Sequence, residues 1–376
     1  MHLLVSLAAH GWHPAAWRVS GVTGFGGAAP FRSMVRTAER GRLDAVLLGM
    51  PTAPAALRAG GRVDGIRLDP LPLLGAMIGA ADRIGLCAYW PGDVAEPFHV
   101  ARVFATLDHL AGGRTGWIAG LEGTTELGAK FGSPPLPMAA DDASARLTEL
   151  IDVARQLWDS WEDRAFVADQ TSGTFAESER VHPIDHAGRF FTVRGPLNVP
   201  RPIQGQPVLL QREVPAGPAR TGAAAGAEVV LATSATIAEA MADRLDWRAR
   251  AAGYGRDPEG LRYVVRIMPI LAETEEAAWQ RAADLDGLSG AGGQRDAARR
   301  FVGTPDQFAT QLVEWHRAGA ADGFDVLPAV LPADLDVLVD EVVPRLRRRG
   351  LVREEYTFPT LRGHLGLQRA ASRFAA

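Results

Sequence analysis

Short apolar runs alternate with amphipathic segments along nearly the whole chain, and this rhythm limits the fold more than any motif does. The runs are "LLVSLA" (3–8), "DAVLLGM" (44–50), "RIGLCAYW" (83–90), "TGWIAGL" (115–121), "PVLLQ" (207–211), "AEVVLAT" (227–233), "LRYVVRIMPILA" (261–272) and "GFDVLPAVLP" (323–332). A strand covered on both faces reads as such a continuous run, and parallel strands need a crossover between them. Helical spacing supplies those crossovers. "PFRSMVRTAERGRL" (30–43) carries Phe31, Met34, Val35 and Ala38 on one face. "LPLLGAMIGAAD" (71–82), "EPFHVARVFATLDHLAGG" (96–113) and stretches within 141–162, 236–252, 273–285 and 333–349 follow the same rule. In "TPDQFATQLVEWHRAG" (304–319), Thr304 reads as N-cap and Pro305 as the first helical position. Strand–helix units in this number, with no linker between them, predict one α/β domain over 1–376, a (β/α)8 TIM barrel. Polar, turn-rich stretches mark insertions at about 163–206 and 287–300, and a C-terminal extension runs from about 333 to 376. A doubly wound sheet is the alternative. It requires a phosphate-binding glycine fingerprint after the first strand, and "GVTGFGGAAP" (21–30) has the glycines without the spacing.

Charge and cysteine usage narrow the function classes. A net charge of −4 gives no electrostatic reason for nucleic acid or an anionic membrane as partner. Cys87 is the only cysteine, so neither an intrachain disulfide nor a cysteine metal cage can form. No apolar run approaches the roughly 20 residues that span a bilayer, and the opening "MHLLVSLAAH" lacks the basic start of a signal peptide. A soluble cytoplasmic protein is expected. Lys130, the only lysine, sits in the Gly/Pro loop "LGAKFGSPP", outside any P-loop pattern.

Ligands of parallel α/β proteins gather at the carboxyl ends of the strands. Two polar candidates stand there after the first run, His10 and His13, as acid/base groups or substrate contacts. The fourth run is different: "GGRTGWIAGLE" (112–122) stays apolar up to Glu122. His182 and His186 are four apart, but Pro183 between them argues against a helical metal pair. Asp108 and Arg114 read as structural residues at the base of the barrel, and Trp158 and Trp161 as core or interface.

Several stretches carry a resemblance: "HPAAWR" (13–18), "AERGRLDAVLL" (38–48), "ADRIGL" (81–86), "EPFHVARVFATLDHLAGGRTGW" (96–117), "QLWDSWEDRA" (156–165), "VHPIDHAGRFFTVRGPLNVPRPIQGQPVLLQ" (181–211), "FVGTPDQFA" (301–309) and "PRLRRRGLVREEYTFPTLRGHLGL" (344–367). In this order, over nearly the whole chain, they resemble the bacterial luciferase-like flavin monooxygenases. The nearest group is that of the nitrilotriacetate, pristinamycin-synthase and dibenzothiophene-sulfone monooxygenases. The resemblance implies a luciferase-like TIM barrel and an oxidoreductase that takes reduced FMN from a separate flavin reductase. It also implies O2 and a small hydrophobic organic molecule as substrates. A twofold homodimer is implied too, through the helices after the second and third strands, where Met77, Ile78, Phe98 and Phe104 would offer apolar surface.

The chain departs from that family at its flavin contacts. Met50 stands where the family has an Asp, Tyr89-Trp90 where it has a hydroxyl-rich run, and Ile118 where its Asn meets the ring. Ala143-Ser144 replaces an Arg-Tyr pair, and Pro215 falls near a phosphate-binding serine. Each polar partner lost from a buried ligand costs about 1–3 kcal/mol. Replacements are available in the sequence: Tyr89 and Trp90 to stack on a ring, Gln211 and Arg212 to meet a phosphate where the segment 215–226 begins. With such replacements the chain is expected to be an FMN-dependent monooxygenase. Without them it is a flavin-free descendant, reused for another reaction or as a binding subunit.

Overall fold

The computed structural model describes residues 1–23, 27–49, 68–92, 94–121, 139–214, 217–289 and 299–374. Eight parallel strands close into a barrel: β1 (His2–Leu7), β2 (Ala45–Leu48), β3 (Gly85–Pro91), β4 (Thr115–Gly120), β5 (Val208–Arg212), β6 (Val229–Ala232), β7 (Arg262–Leu271) and β8 (Gly323–Val326). Each pairs with the next, and β8 pairs with β1, so no open edge remains in the ring. Closure rules out the doubly wound sheet. Every strand coincides with one of the apolar runs.

The helices lie outside, each laying an apolar face on the barrel. In Ala28–Arg40 the buried residues are Phe31, Met34, Val35 and Ala38, the face that the spacing predicts. Asp69 caps Pro70–Ile78 by accepting from Leu71 N–H. Thr236 and Glu239 form a capping box on Ile237–Gly253, and Thr304 and Gln307 another on Pro305–Arg317. Met77 and Phe104 correct one expectation. Both are fully buried against the barrel, so neither offers apolar surface to a second chain; Ile78 and Phe98 are half-buried. The stretch 287–300 is also not wholly irregular. The helix Glu275–Ser289 runs into it, and the strand Arg299–Gly303 closes it by pairing with the upper half of β7. The stretch 163–206 leaves the helix Ala140–Trp158 and returns to β5 through two short hairpins. Glu149 fixes the second by accepting from Phe190 and Phe191 N–H and pairing with His186 Nε2.

The C-terminal segment plugs the barrel from below. Leu361 enters between β3 and β4, where a Cβ on Gly85 or on Gly116 would stand 2.5 Å or 3.2 Å from its methyl groups. Leu361, Leu365 and Leu367 join the lumen cluster with Cys87, Val208 and Val229. Arg362 reaches Glu228 with both terminal nitrogens, at 2.7 and 3.0 Å, and the Gln206 carbonyl with Nε.

His364, in the same plug, makes the fold sensitive to acid. Its Nε2 donates to the Arg83 carbonyl at 2.7 Å, while Nδ1 is buried without a partner among the described residues. Burial, which disfavours the imidazolium, pushes its pKa down to about 4. The unfolded chain therefore binds a proton below about pH 6.5 that the folded chain refuses until about pH 4. Stability is fully present above that window and falls as pH drops through it, by at most about 1.4 kcal/mol per pH unit. Urea midpoints of the wild type are expected to decline from pH 6.5 to pH 4 more steeply than those of His364→Gln, whose amide still donates to Arg83. Parallel profiles would show that His364 is not the sensitive group.

Candidate active site

Alternation along each strand sends every second side chain into the lumen. Leu47, Tyr89, Ile118, Leu210, Leu231, Met268 and Leu327 form one apolar cluster toward the carboxyl ends of the strands. Small residues make room for large ones: a Cβ on Gly120 would lie 3.1 Å from the Tyr89 ring. The apolar end of β4 is thus part of this packed cluster, in which Ile118 is fully buried.

A roof crosses the β1–β8 side of this cluster. Trp12 N–H donates to the Pro328 carbonyl, His13 N–H to that of Ala329, and Leu331 N–H to that of His10. Gly11 sits at φ 126°, with a Cβ position only 2.3 Å from the Ala329 carbonyl oxygen, so the two loops are in close contact. The clasp holds Trp12 over the lumen, and its indole N–H donates to the Ser6 carbonyl at 2.7 Å.

Beneath Trp12 lies a polar trio that the sequence analysis did not single out. Ser6 and Asp325 are each one residue from the end of their strands, and the Ser6 hydroxyl lies 2.9 Å from both carboxylate oxygens of Asp325. Arg266 of β7 donates through Nε to Asp325 at 3.2 Å. Its guanidinium carbon stands 5.7 Å from the centre of the Trp12 ring. Arg266 is 1% exposed and Asp325 0%, and among the described residues neither Nη1 nor Nη2 of Arg266 has a hydrogen-bond partner. One clue was present: each is a charge flanked on both sides by apolar residues, in "VVRIMPILA" (264–272) and "GFDVLPAVLP" (323–332).

The candidates from the sequence are spread over several environments. His10 Nδ1 lies 3.0 Å from the Ser20 hydroxyl. His13 is buried; Ala15 N–H donates to its Nδ1, so Nε2 carries the proton and donates to Asp286 at 3.1 Å. Burial lowers the His13 pKa against the pull of Asp286, and Arg300 holds Asp286 from its other side. Tyr89 faces the lumen, whereas Trp90, its neighbour on β3, packs outward on His99 and Phe104. On β5, Val208 and Leu210 join the lumen cluster and Leu209 the outer one, so alternation turns Arg212 inward and Gln211 outward. Ala143 and Ser144 belong to the first turns of the helix Ala140–Trp158. Met50, Lys130 and Pro215 lie outside the described residues.

Two features lie away from the mouth. A groove of about 890 Å3 runs between the helices Ala140–Trp158 and Pro218–Ala224, lined by Thr148, Glu149, Asp152, Arg155 and Arg250 among others; it is outside the barrel. His182 and His186 pair with different carboxylates, Glu162 and Glu149, and among the described residues no group of three or more His, Cys, Asp or Glu could hold a metal ion.

The same chain matches known proteins over most of its length. Residues 9–322 match the family described as luciferase-like monooxygenase. N-acetyl-S-(2-succino)cysteine monooxygenase of Bacillus subtilis (strain 168) is 33% identical over 439 residues, covering 99% of this chain and 97% of that one. Nitrilotriacetate monooxygenase component A of Aminobacter aminovorans is 34% identical, with 90% of each chain covered. Among solved structures, EDTA monooxygenase from Chelativorans sp. BNC1 superimposes with a TM-score of 0.84 at 27% identity, over 98% of both chains.

Proposed function

The chain belongs to the luciferase-like monooxygenase family and is a monooxygenase-type oxidoreductase, and from that premise we propose that it is the oxygenase component of a two-component system. It takes reduced FMN from a separate reductase and adds one oxygen atom of O2 to a small hydrophobic organic substrate. A cytoplasmic setting, where a reductase can hand over the flavin, is part of this reading. So is a homodimer through the helices Pro70–Ile78 and Pro97–Leu110, with Ile78 and Phe98 contributing; light scattering at micromolar concentration giving only monomer counts against it.

One observation carries the reading: an arginine with two unpartnered terminal nitrogens stands among apolar walls at the barrel mouth. An aromatic ring with a polar edge is the kind of ligand that these two donors and their apolar surroundings would engage. When bound, the reduced flavin supplies the electrons that activate O2. The chain supplies the surroundings. Leu210, Leu231, Met268 and Leu327 keep the reacting centre dry, which protects a reactive species from water. Trp12, fixed to Ser6 and to the β8 loop, closes one side. Tyr89 presents its ring to the lumen, and Arg212 is our candidate for the phosphate, as a charge-assisted donor near the start of the helix Pro218–Ala224. Gln211, turned outward, and Trp90, packed on Phe104, support the wall instead of touching the ligand. With both ring nitrogens engaged, His13 fastens the roof to Asp286; His10 remains the candidate for a substrate contact at the rim.

The deciding experiment is an anaerobic titration with FMN and with photoreduced FMN. Wild-type protein is expected to bind the reduced form below millimolar concentration, and Arg212→Ala to weaken that binding at least tenfold, about 1.4 kcal/mol. Unchanged binding by Arg212→Ala defeats the phosphate assignment. No binding of either form by the wild type defeats the oxygenase reading and leaves the flavin-free descendant. Where binding holds, a reductase-coupled assay under 18O2, beginning with thioethers, sulfones and N-substituted amino acids, is expected to put one labelled atom into product.

A further inference from the structure

Arg266 is a charged residue in the middle of a buried strand, and only one of its three nitrogens is satisfied. Nε donates to Asp325 at 3.2 Å; Nη1 and Nη2 are buried with no partner among the described residues. Leaving such donors unmet in a dry interior is unfavourable, and more so where the group is charged. A guanidinium serving only to neutralise Asp325 would turn its two-nitrogen edge onto the carboxylate, the stronger arrangement. Here Asp325 takes the single Nε contact and shares both oxygens with the Ser6 hydroxyl. The Nη1–Nη2 edge is thereby kept out of the pair.

The position of that edge matters as much as its vacancy. Trp12 covers the guanidinium at 5.7 Å and is itself held by Ser6 and by the β8 loop. In the same lumen cluster Val264 and Leu327 offer no side-chain acceptor, and Met268 only a weak one, its thioether sulfur. The low local dielectric strengthens whatever these donors bind.

We propose that the Nη1–Nη2 edge of Arg266 is a binding fork for a planar, delocalised anion at the lumen mouth. Two parallel N–H groups suit an O–C–O or an N–C–O edge equally. A substrate carboxylate offers the first. The second is the pyrimidine edge of reduced flavin once its N1 proton is gone, an edge that is neutral in the oxidised ring. The proposal rests on the reading that the lumen mouth holds the ligands, and it deepens it by naming the chemistry that the mouth selects.

The test titrates three probes, oxidised FMN, photoreduced FMN under anaerobic conditions, and succinate, against wild type, Arg266→Met and Arg266→Lys. The double variant Arg266→Met/Asp325→Asn is added because a lone buried Asp325 could unfold the single one. A flavin fork predicts that wild type binds reduced FMN at least tenfold more tightly than oxidised FMN, and that both Met-bearing proteins lose this preference. A carboxylate fork predicts that succinate binding weakens at least tenfold in the same proteins while the ratio of the two FMN affinities stays unchanged. Arg266→Lys, which keeps the charge but not the fork, is expected to fall between. Equal binding of every probe by wild type and the double variant overturns the proposal, even if FMN binding itself upholds the oxygenase reading. Failure of all three probes to bind the wild type overturns both.

Discussion

Arg362→Met is expected to destabilise the protein by about 3–5 kcal/mol, the loss found when one partner of a buried ion pair is removed. The two carboxylate oxygens of Glu228 take both terminal nitrogens of Arg362, and the backbone N–H of Leu209 is the other donor to that carboxylate. Burial alone would push the pKa of Glu228 up; Arg362, with Arg155 farther off, holds it below the ordinary range. Without the guanidinium, the carboxylate must take up a proton or stay charged in a dry site. The plug is released by the same change, because Arg362 also binds the Gln206 and Gln368 carbonyls. Urea unfolding measures the loss. A double change, Arg362→Met with Glu228→Leu, is expected to recover much of it, since no charge is then left unpaired. A shift below about 0.5 kcal/mol for the single variant, typical of a surface substitution, would mean that the plug does not depend on this pair.

Gly11→Ala is expected to disrupt the roof and leave the ring of strands intact. Its φ of 126° is a conformation that side-chain-bearing residues rarely adopt, and the added methyl would meet the Ala329 carbonyl oxygen at 2.3 Å and Val330 Cα at 2.8 Å. Strain of this kind costs on the order of 1–3 kcal/mol. The chain can relieve it by letting the β1 and β8 loops separate, which frees Trp12 from its seat above Arg266 and Ser6. Hydrogen exchange reads the outcome: the Trp12 and His13 amides, which donate to Pro328 and Ala329, are expected to lose protection at least tenfold. Amides of β3 and β4 are expected to keep theirs. If the proposed flavin chemistry holds, water reaching the lumen is expected to lower oxygen transfer to substrate and to raise wasteful consumption of the reduced flavin. Unchanged protection at Trp12 would show that the loops absorb the methyl and that the clasp is not tight.

Much of the fold was readable along the chain because its causes are local. The run "TGWIAGL" had to be a strand covered on both sides, and Phe31, Met34, Val35 and Ala38 had to share a helix face, whatever surrounded them. Thr304 with Pro305 could be read as a helix start because capping is settled within one turn. Inward and outward positions were less legible. Tyr89 and Trp90, taken together as ring contacts, face opposite sides of β3, and Gln211 and Arg212 are likewise split across β5. Period-two alternation shows that neighbours differ, but not which of them faces the lumen. Met77 and Phe104 failed as interface residues for a related reason: an apolar side chain on a helix satisfies its own barrel as readily as a second chain.

The alternation of short apolar runs with amphipathic segments therefore determined the parallel barrel and its helical jacket by itself, since each element is set by periodicity over a few turns or strand residues. Only closure of the barrel decided what the mouth contains. Arg266 and Asp325 are 59 residues apart, and Ser6 and Asp325 are 319 apart. They meet because β7 pairs with β8 and β8 with β1 in the register Arg266↔Asp325 and Leu4↔Asp325. A buried charge is tolerated or ruinous according to its partner. That partner is chosen by registers between distant strands, which no local pattern in the sequence records.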